Sequence, residues 1–361
     1  MLAIFLRKSK PINFIILLSL FIGVFISNSF SLFSNTDFEL SLLFKSTCFL
    51  GLNLVIFFFY NFVVTKNNLT LDNFYAFFTF TIFLSYFIAI THSAKTLITL
   101  ILYLVFIRKI YSLKSKKNTL QKLFDSGFWL SILFIIEPFS AVFSILIYSG
   151  IFLHQKSVSN TLIAPLVGFL IPLIIYFTYC FWFDKLYVFI NLFYFDTFSS
   201  FIFRPENTYY WVITFILGFS VMAIFLKSPK AFSVKNSFRK SWILLIINLL
   251  VALTFALLVP NKNNTELLFL LFPAAIIIAN GFESIGSNFM KNILFILFLA
   301  LFREFILGTT FTLAIKSPAR TTSPATTNIS CIIPEILGLM NTSSFGTILP
   351  VATVFLTMVL I

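Results

Sequence analysis

Acid, histidine and cysteine are all scarce in this chain. Its 361 residues include 12 Asp and Glu, 2 His and 3 Cys, and charged residues make up only 10% of the whole. Soluble domains carry roughly a quarter charged residues, so this composition excludes an ordinary water-facing surface. Cys48, Cys180 and Cys331 lie far apart, with neither metal-ligand spacing nor an even set of pairs. That excludes a disulfide framework and leaves them as small packing residues. His92 and His154 have no neighbouring ligands, so no histidine-built metal site is expected. No Walker, GxSxG or GxGxxG motif occurs, and soluble nucleotide chemistry therefore has no support. No cofactor is implied, and a divalent cation is left open.

The residues that fill the chain are apolar. Hydrophobic types make up 59%, phenylalanine alone numbers 53, and the mean hydropathy is +1.02. This composition predicts an all-α, polytopic transmembrane helical bundle of about ten to twelve helices. The formal charge of +13 does not mark a nucleic-acid binder, because the basic residues stand in short blocks between apolar runs. Such blocks signal topology instead.

Arg7, Lys8 and Lys10 precede an apolar run from Ile12 to Phe33 that is too long for a secretory signal. It reads as an uncleaved anchor with a cytoplasmic N-terminus. The following loop, with Asp37 and Glu39, then lies outside. Further spans are expected at Leu42 to Val64, Phe74 to Ile90 and Thr96 to Ile107. The block Arg108, Lys109, Lys114, Lys116, Lys117 and Lys122 is then fixed on the inner side.

The run from Phe124 to Leu153 exceeds one span and is interrupted at Glu137-Pro138, where proline removes a backbone donor. Two spans folded at that break put Glu137 outside and Lys156 inside. One kinked span would invert every later loop and strand Lys227, Lys230, Lys235, Arg239 and Lys240 on the outer side, against the positive-inside rule. The folded reading continues with Leu162 to Phe183 going out, and an outer aromatic segment from Asp184 to Tyr210 that holds Arg204. Trp211 to Leu226 returns, a five-cation loop follows, and Trp242 to Val259 leads out to Asn261 to Glu266. Leu267 to Ala279 comes back, and Ile293 to Leu307 leaves with Arg303 and Glu304 inside its apolar run.

Under this topology Asp37, Glu39, Glu137, Asp184, Asp196, Glu206 and Glu266 all fall outside. Carboxylates contribute little to orientation, so their gathering suggests an outward-facing polar site. Ordinary polar loops are the other reading. The bundle is expected over residues 1–312. From 313 to 361 the chain turns Ser/Thr/Pro-rich, with one possible further span at Ile348 to Ile361. Only Phe345 and Phe355 occur there, where the earlier density would give about eight.

Three pieces carry a resemblance, in chain order. They are Asp37-Phe38-Glu39 after the first span, the run from Gly127 to Glu137-Pro138, and the run from Thr265 through Pro273 to Ala279. Together they resemble the polytopic membrane glycosyltransferases of the GT-C type. The chain also resembles small integral membrane proteins of Bacteroidetes. Glu137 stands where the GT-C class usually carries Lys, and Thr265 and Glu266 stand where it carries Arg and Tyr.

The resemblance implies a bacterial inner-membrane enzyme that takes sugar from a polyprenyl-phosphate donor at a site facing the periplasm. Asp37 would be the catalytic base. Glu39 is a second acid, about 200° away on a helix and on the same side on a strand. Arg303 would hold the donor phosphate, because a guanidinium in an apolar run needs a counter-charge and suits phosphate geometry. Glu137, Glu266 and Arg204 would complete the substrate contacts. The expected partners are the lipid-linked donor and the bilayer, with no nucleic acid; protein partners stay undetermined. A non-catalytic membrane scaffold subunit and a lipid or solute transporter remain open beside this reading.

Overall fold

The computed structural model describes residues 5–7, 11–33, 40–115, 117–155, 157–194, 208–233, 236–259, 264–287 and 289–298. Hydrocarbon offers no partner for a bare peptide group, so an apolar chain satisfies its backbone internally as helix. Among the described residues every regular element is helical. They are α1 (Pro11–Phe33), α2 (Leu40–Lys66), α3 (Tyr75–Tyr86), α4 (Ala94–Tyr111), α5 (Thr119–Ile136) and α6 (Ser144–Leu153). There follow α7 (Ser159–Trp182), α8 (Leu186–Asn191), α9 (Thr208–Ser233), α10 (Asn236–Leu258) and α11 (Leu268–Ser284). Short 3-10 segments extend α3 over Phe87–Thr91 and lead into α6 and α11 over Pro138–Phe143 and Thr265–Leu267. Among the described residues eight helical segments are long and apolar enough to cross a membrane, and Tyr75–Tyr86, Pro138–Leu153 and Phe289–Phe298 are shorter apolar helices. The protein is a multi-pass, all-α membrane bundle.

Two compact units are present. One spans Leu6–Ser287, and Phe289–Phe298 (α12) belongs to the other. Within the larger unit α11 is the enclosed helix. Its segment Thr265–Ser284 is 94% buried, against 22% for Ser159–Trp182 at the periphery. An outward apolar face on α7, including Ile163, Leu166, Leu170, Ile174 and Phe181, suits contact with lipid.

Burial against neighbours gains little hydrophobic energy where the alternative is lipid, so helices associate through close packing and hydrogen bonds. Both are visible. A Cβ on Gly281 of α11 would lie 2.5 Å from that of Ala223 on α9, so only glycine permits this approach. The α5–α7 contact is built the same way. A Cβ on Gly127 would collide with the Pro165 carbonyl, and one on Gly168 with the Phe124 carbonyl.

Aromatic rings fill the space between the remaining helices. Tyr60 of α2 stacks on Phe80 of α3 at 3.8 Å, and its hydroxyl donates to the Ala76 carbonyl. Buried polar side chains find each other: Tyr103 donates to Asn248 at 2.9 Å, and the Asn248 amide reaches the Tyr111 hydroxyl at 3.3 Å.

The chain folds back at Glu137-Pro138. Helix α5 stops at Ile136, Glu137 is extended, and Pro138 begins the 3-10 turn. Helix α6 then runs back beside α4. Phe143 meets Tyr103 at 5.0 Å, and a Cβ on Gly150 would sit 3.1 Å from Leu113, beyond the far end of α4. The break is therefore a reversal between one helix of spanning length and a shorter antiparallel one, as the positive-inside argument requires.

The spans extend further than their apolar runs. The expected five-cation loop is largely helix, with Lys227 and Lys230 in the last turns of α9 and Arg239 and Lys240 in the first turns of α10. Helix α11 likewise continues five residues past Ala279, to Ser284. Cys180 is buried as expected of a packing residue, whereas Cys48 is exposed on α2.

Gly127→Leu should force α5 from α7 and destabilise the protein by about 1–3 kcal/mol or more. Gly218→Leu should change little, since nothing lies within 4 Å of a Cβ there. Thermal unfolding in detergent measures both, and equal effects would contradict this account of the contact.

Candidate functional site

Ring contacts establish which termini of the helices share an end. Phe143 follows Glu137 by six residues and Phe269 follows Glu266 by three; their rings lie 5.8 Å apart. Phe255, near the end of α10, packs on both, at 5.2 Å from Phe143 and 4.7 Å from Phe269. Glu137 and Glu266 therefore stand at the same end of the bundle. Tyr209 at the head of α9 joins this end by stacking on Phe87 at 5.5 Å.

Glu137 sits at the turn between α5 and the 3-10 segment, and its carboxylate lies 3.4 Å from the ammonium of Lys95 at the head of α4. The Lys95 side chain is 64% exposed and that of Glu137 24%. An exposed pair of this kind contributes little stability, and the ammonium stays open to a further anion. Glu266 is only 2% exposed, in the turn that leads into the enclosed helix. His92, just before Lys95, meets Asn28 of α1 through Nε2 at 3.0 Å and lies between the rings of Phe25 and Phe49. Burial there pushes its pKa below the usual imidazole value.

Two of the six expected site residues, Glu137 and Glu266, thus come to one end. Asp37, Glu39, Arg204 and Arg303 lie outside the described residues, as does the tail after 313. Among the described residues no group of three or more His, Cys, Asp or Glu side chains gathers as a metal site. Protein-family models, characterised proteins and solved structures give no match to this chain. Any functional reading therefore rests on the site itself.

The opposite end holds the more tightly enclosed charges. Glu283, one residue from the end of α11, accepts from Lys227 Nζ at 3.0 Å, from Asn73 Nδ2 at 2.6 Å and from the Leu71 backbone N–H at 2.9 Å. Its side chain is 2% exposed and that of Lys227 11%. The Lys227 ammonium also lies 5.2 Å from the Phe238 ring, and Lys230 donates to the Ser284 carbonyl. One turn earlier in α11, Asn280 donates to the Leu69 carbonyl at 3.0 Å. Together these contacts pin the α2–α3 connection and the end of α9 onto α11. At the same end Lys109 pairs with Asp125 at 2.6 Å.

Sequence reasoning missed Glu283 and Lys95. For Glu283 a signal existed: a lone carboxylate closing an otherwise apolar run demands a named partner. Lys95 carried none, since an exposed lysine in a short turn is ordinary.

Glu283→Leu alone should destabilise the fold by roughly 3–5 kcal/mol, because it leaves the Lys227 ammonium enclosed without its carboxylate. Adding Lys227→Met should recover most of that loss. Unfolding of single and double variants in detergent measures the coupling, and additive effects would show that the pair is not the clamp described.

Proposed function

We propose that this protein is a membrane-embedded glycosyltransferase that takes sugar from a polyprenyl-phosphate donor, with its site at the Glu137 end facing the periplasm. The observation that supports this most is the Lys95–Glu137 pair, which holds an exposed cation beside Glu137 at the end that also carries Glu266. Glu137 occupies the place where the GT-C class carries a lysine, and Lys95 brings an ammonium to that place from another helix. Helix α1 reaches this end at Asn28, which meets His92; Asp37 and Glu39 follow it in sequence, outside the described residues.

In this reading Asp37 takes the proton of the acceptor hydroxyl. The acceptor oxygen bonds to the anomeric carbon as the bond from that carbon to the phosphate oxygen breaks, and polyprenyl phosphate leaves. Lys95, with Arg303 and Arg204, balances the charge gathering on the leaving phosphate. Glu137, 24% exposed, orients the polar groups of the donor, while Glu266 is enclosed in the turn that leads into α11. General-base catalysis of this kind contributes about 10²- to 10⁴-fold.

A second reading, a non-catalytic membrane subunit, draws on the same pair, because a carboxylate already matched by a lysine needs no substrate. A transfer assay separates the two. In membranes containing the overexpressed protein, Asp37→Asn should keep expression and lower transfer of labelled sugar by about 10²-fold or more. Lys95→Gln should lower kcat as well as raise the donor KM, because the phosphate is anionic when bound and gains charge as it leaves. Wild-type transfer by Asp37→Asn, or no transfer from any polyprenyl-phosphate sugar, would favour the subunit reading.

A further inference from the structure

Arg108 stands near the end of α4, exposed to the surroundings, with its guanidinium 4.8 Å from the Phe62 ring and 6.0 Å from the Phe59 ring of α2. No carboxylate among the described residues forms an ion pair with it. Two aromatic faces orient the cation without neutralising it. Guanidinium in that state is built for a planar, two-point contact with phosphate.

The surface leading to Arg108 is a seam between two packed helices. Val55, Phe59, Phe62 and Lys66 recur on α2 at helical spacing and share one face. Val55, Phe62 and Lys66 are exposed, and Phe59 is half-buried. On α4, Ile98, Ile101, Val105 and Arg108 repeat the pattern: Ile98 and Arg108 are exposed and the two between are half-buried. The seam is apolar along its length and cationic at one end, where Lys66 lies one turn beyond Phe62. From Val55 to Lys66 it runs about 16 Å at the helical rise per residue, close to half of the roughly 30 Å hydrocarbon core of a bilayer.

We propose that this seam is a binding site for one anionic phospholipid. An acyl chain lies along Val55, Phe59, Phe62, Ile98 and Val105, and the headgroup phosphate sits between Arg108 and Lys66. Apolar length and terminal charge together select this occupant. A soluble anion would gain nothing from the seam, and an uncharged lipid nothing from the cations. The site is independent of the transferase reading, being at the other end of the bundle and using none of its residues.

The test is native mass spectrometry of the full-length protein, delipidated in detergent and titrated with phosphatidylglycerol or phosphatidylcholine. Wild-type protein should retain the first phosphatidylglycerol at least fivefold more than phosphatidylcholine. Arg108→Gln should abolish that preference, Lys66→Gln should reduce it, and Arg108→Lys should keep only part of it. Lys117→Gln, at the same end but off the seam, should leave it unchanged. Millimolar inorganic phosphate should not displace the lipid. Full preference in Arg108→Gln, with the protein monodisperse, would overturn the proposal. Equal loss in Lys117→Gln would overturn it too, by showing diffuse attraction to a basic end. Displacement by inorganic phosphate would assign the cations to a soluble anion instead.

Discussion

An ionised carboxylate enclosed by an apolar bundle must be matched on every side, and Glu283 meets that requirement with an ammonium, a side-chain amide and a backbone N–H. Each donor comes from outside α11. Satisfying one buried charge therefore fixes where the end of α9 and the α2–α3 connection sit on the central helix. Glycine on that helix facing alanine on α9 then allows the two to close in, as at Gly281 and Ala223. Packing in lipid is gained by contact rather than by escape from water, so these small residues matter as much as the large aromatic ones.

Proline at 138 sets the other half of the arrangement. By ending α5 it turns what would be one overlong span into two antiparallel pieces, and every later helix inherits its direction from that reversal. Glu137 is thereby carried to the end where α11 begins, beside Lys95. One end holds the exposed Lys95–Glu137 pair, and the other holds Glu283 and Lys227 closed within protein beside the part-exposed Lys109–Asp125 pair.

The apolar runs and the break at Glu137-Pro138 are legible in the sequence, because hydrocarbon imposes length and helicity on any spanning segment. Helix ends are harder to see. Lys227 and Lys230 look like loop residues, since cations usually mark the edge of a span. Here the helix continues because its cations find Glu283 and the Ser284 carbonyl. Glu283 itself looks like the start of the next connection, and nothing in its neighbours in sequence reveals that Asn73 and Leu71 come to it from far back in the chain. Of the residues expected at the site, Glu137 and Glu266 share an end, as the assignment of outer loops implies. The glycine at 127, part of a resemblance in sequence, has a packing role that only the contact with Pro165 discloses.

The direction of every helix after α5 depends on the reversal at Glu137-Pro138, and that can be measured without any assay of activity. In a cysteine-free background, Lys117→Cys and Asp184→Cys place exposed thiols before and after the folded pair and the helix that follows it. A membrane-impermeant maleimide added to spheroplasts should label position 184 and leave position 117 untouched until the membrane is opened. Labelling of both positions from the same side would mean a single kinked span, and would contradict the account.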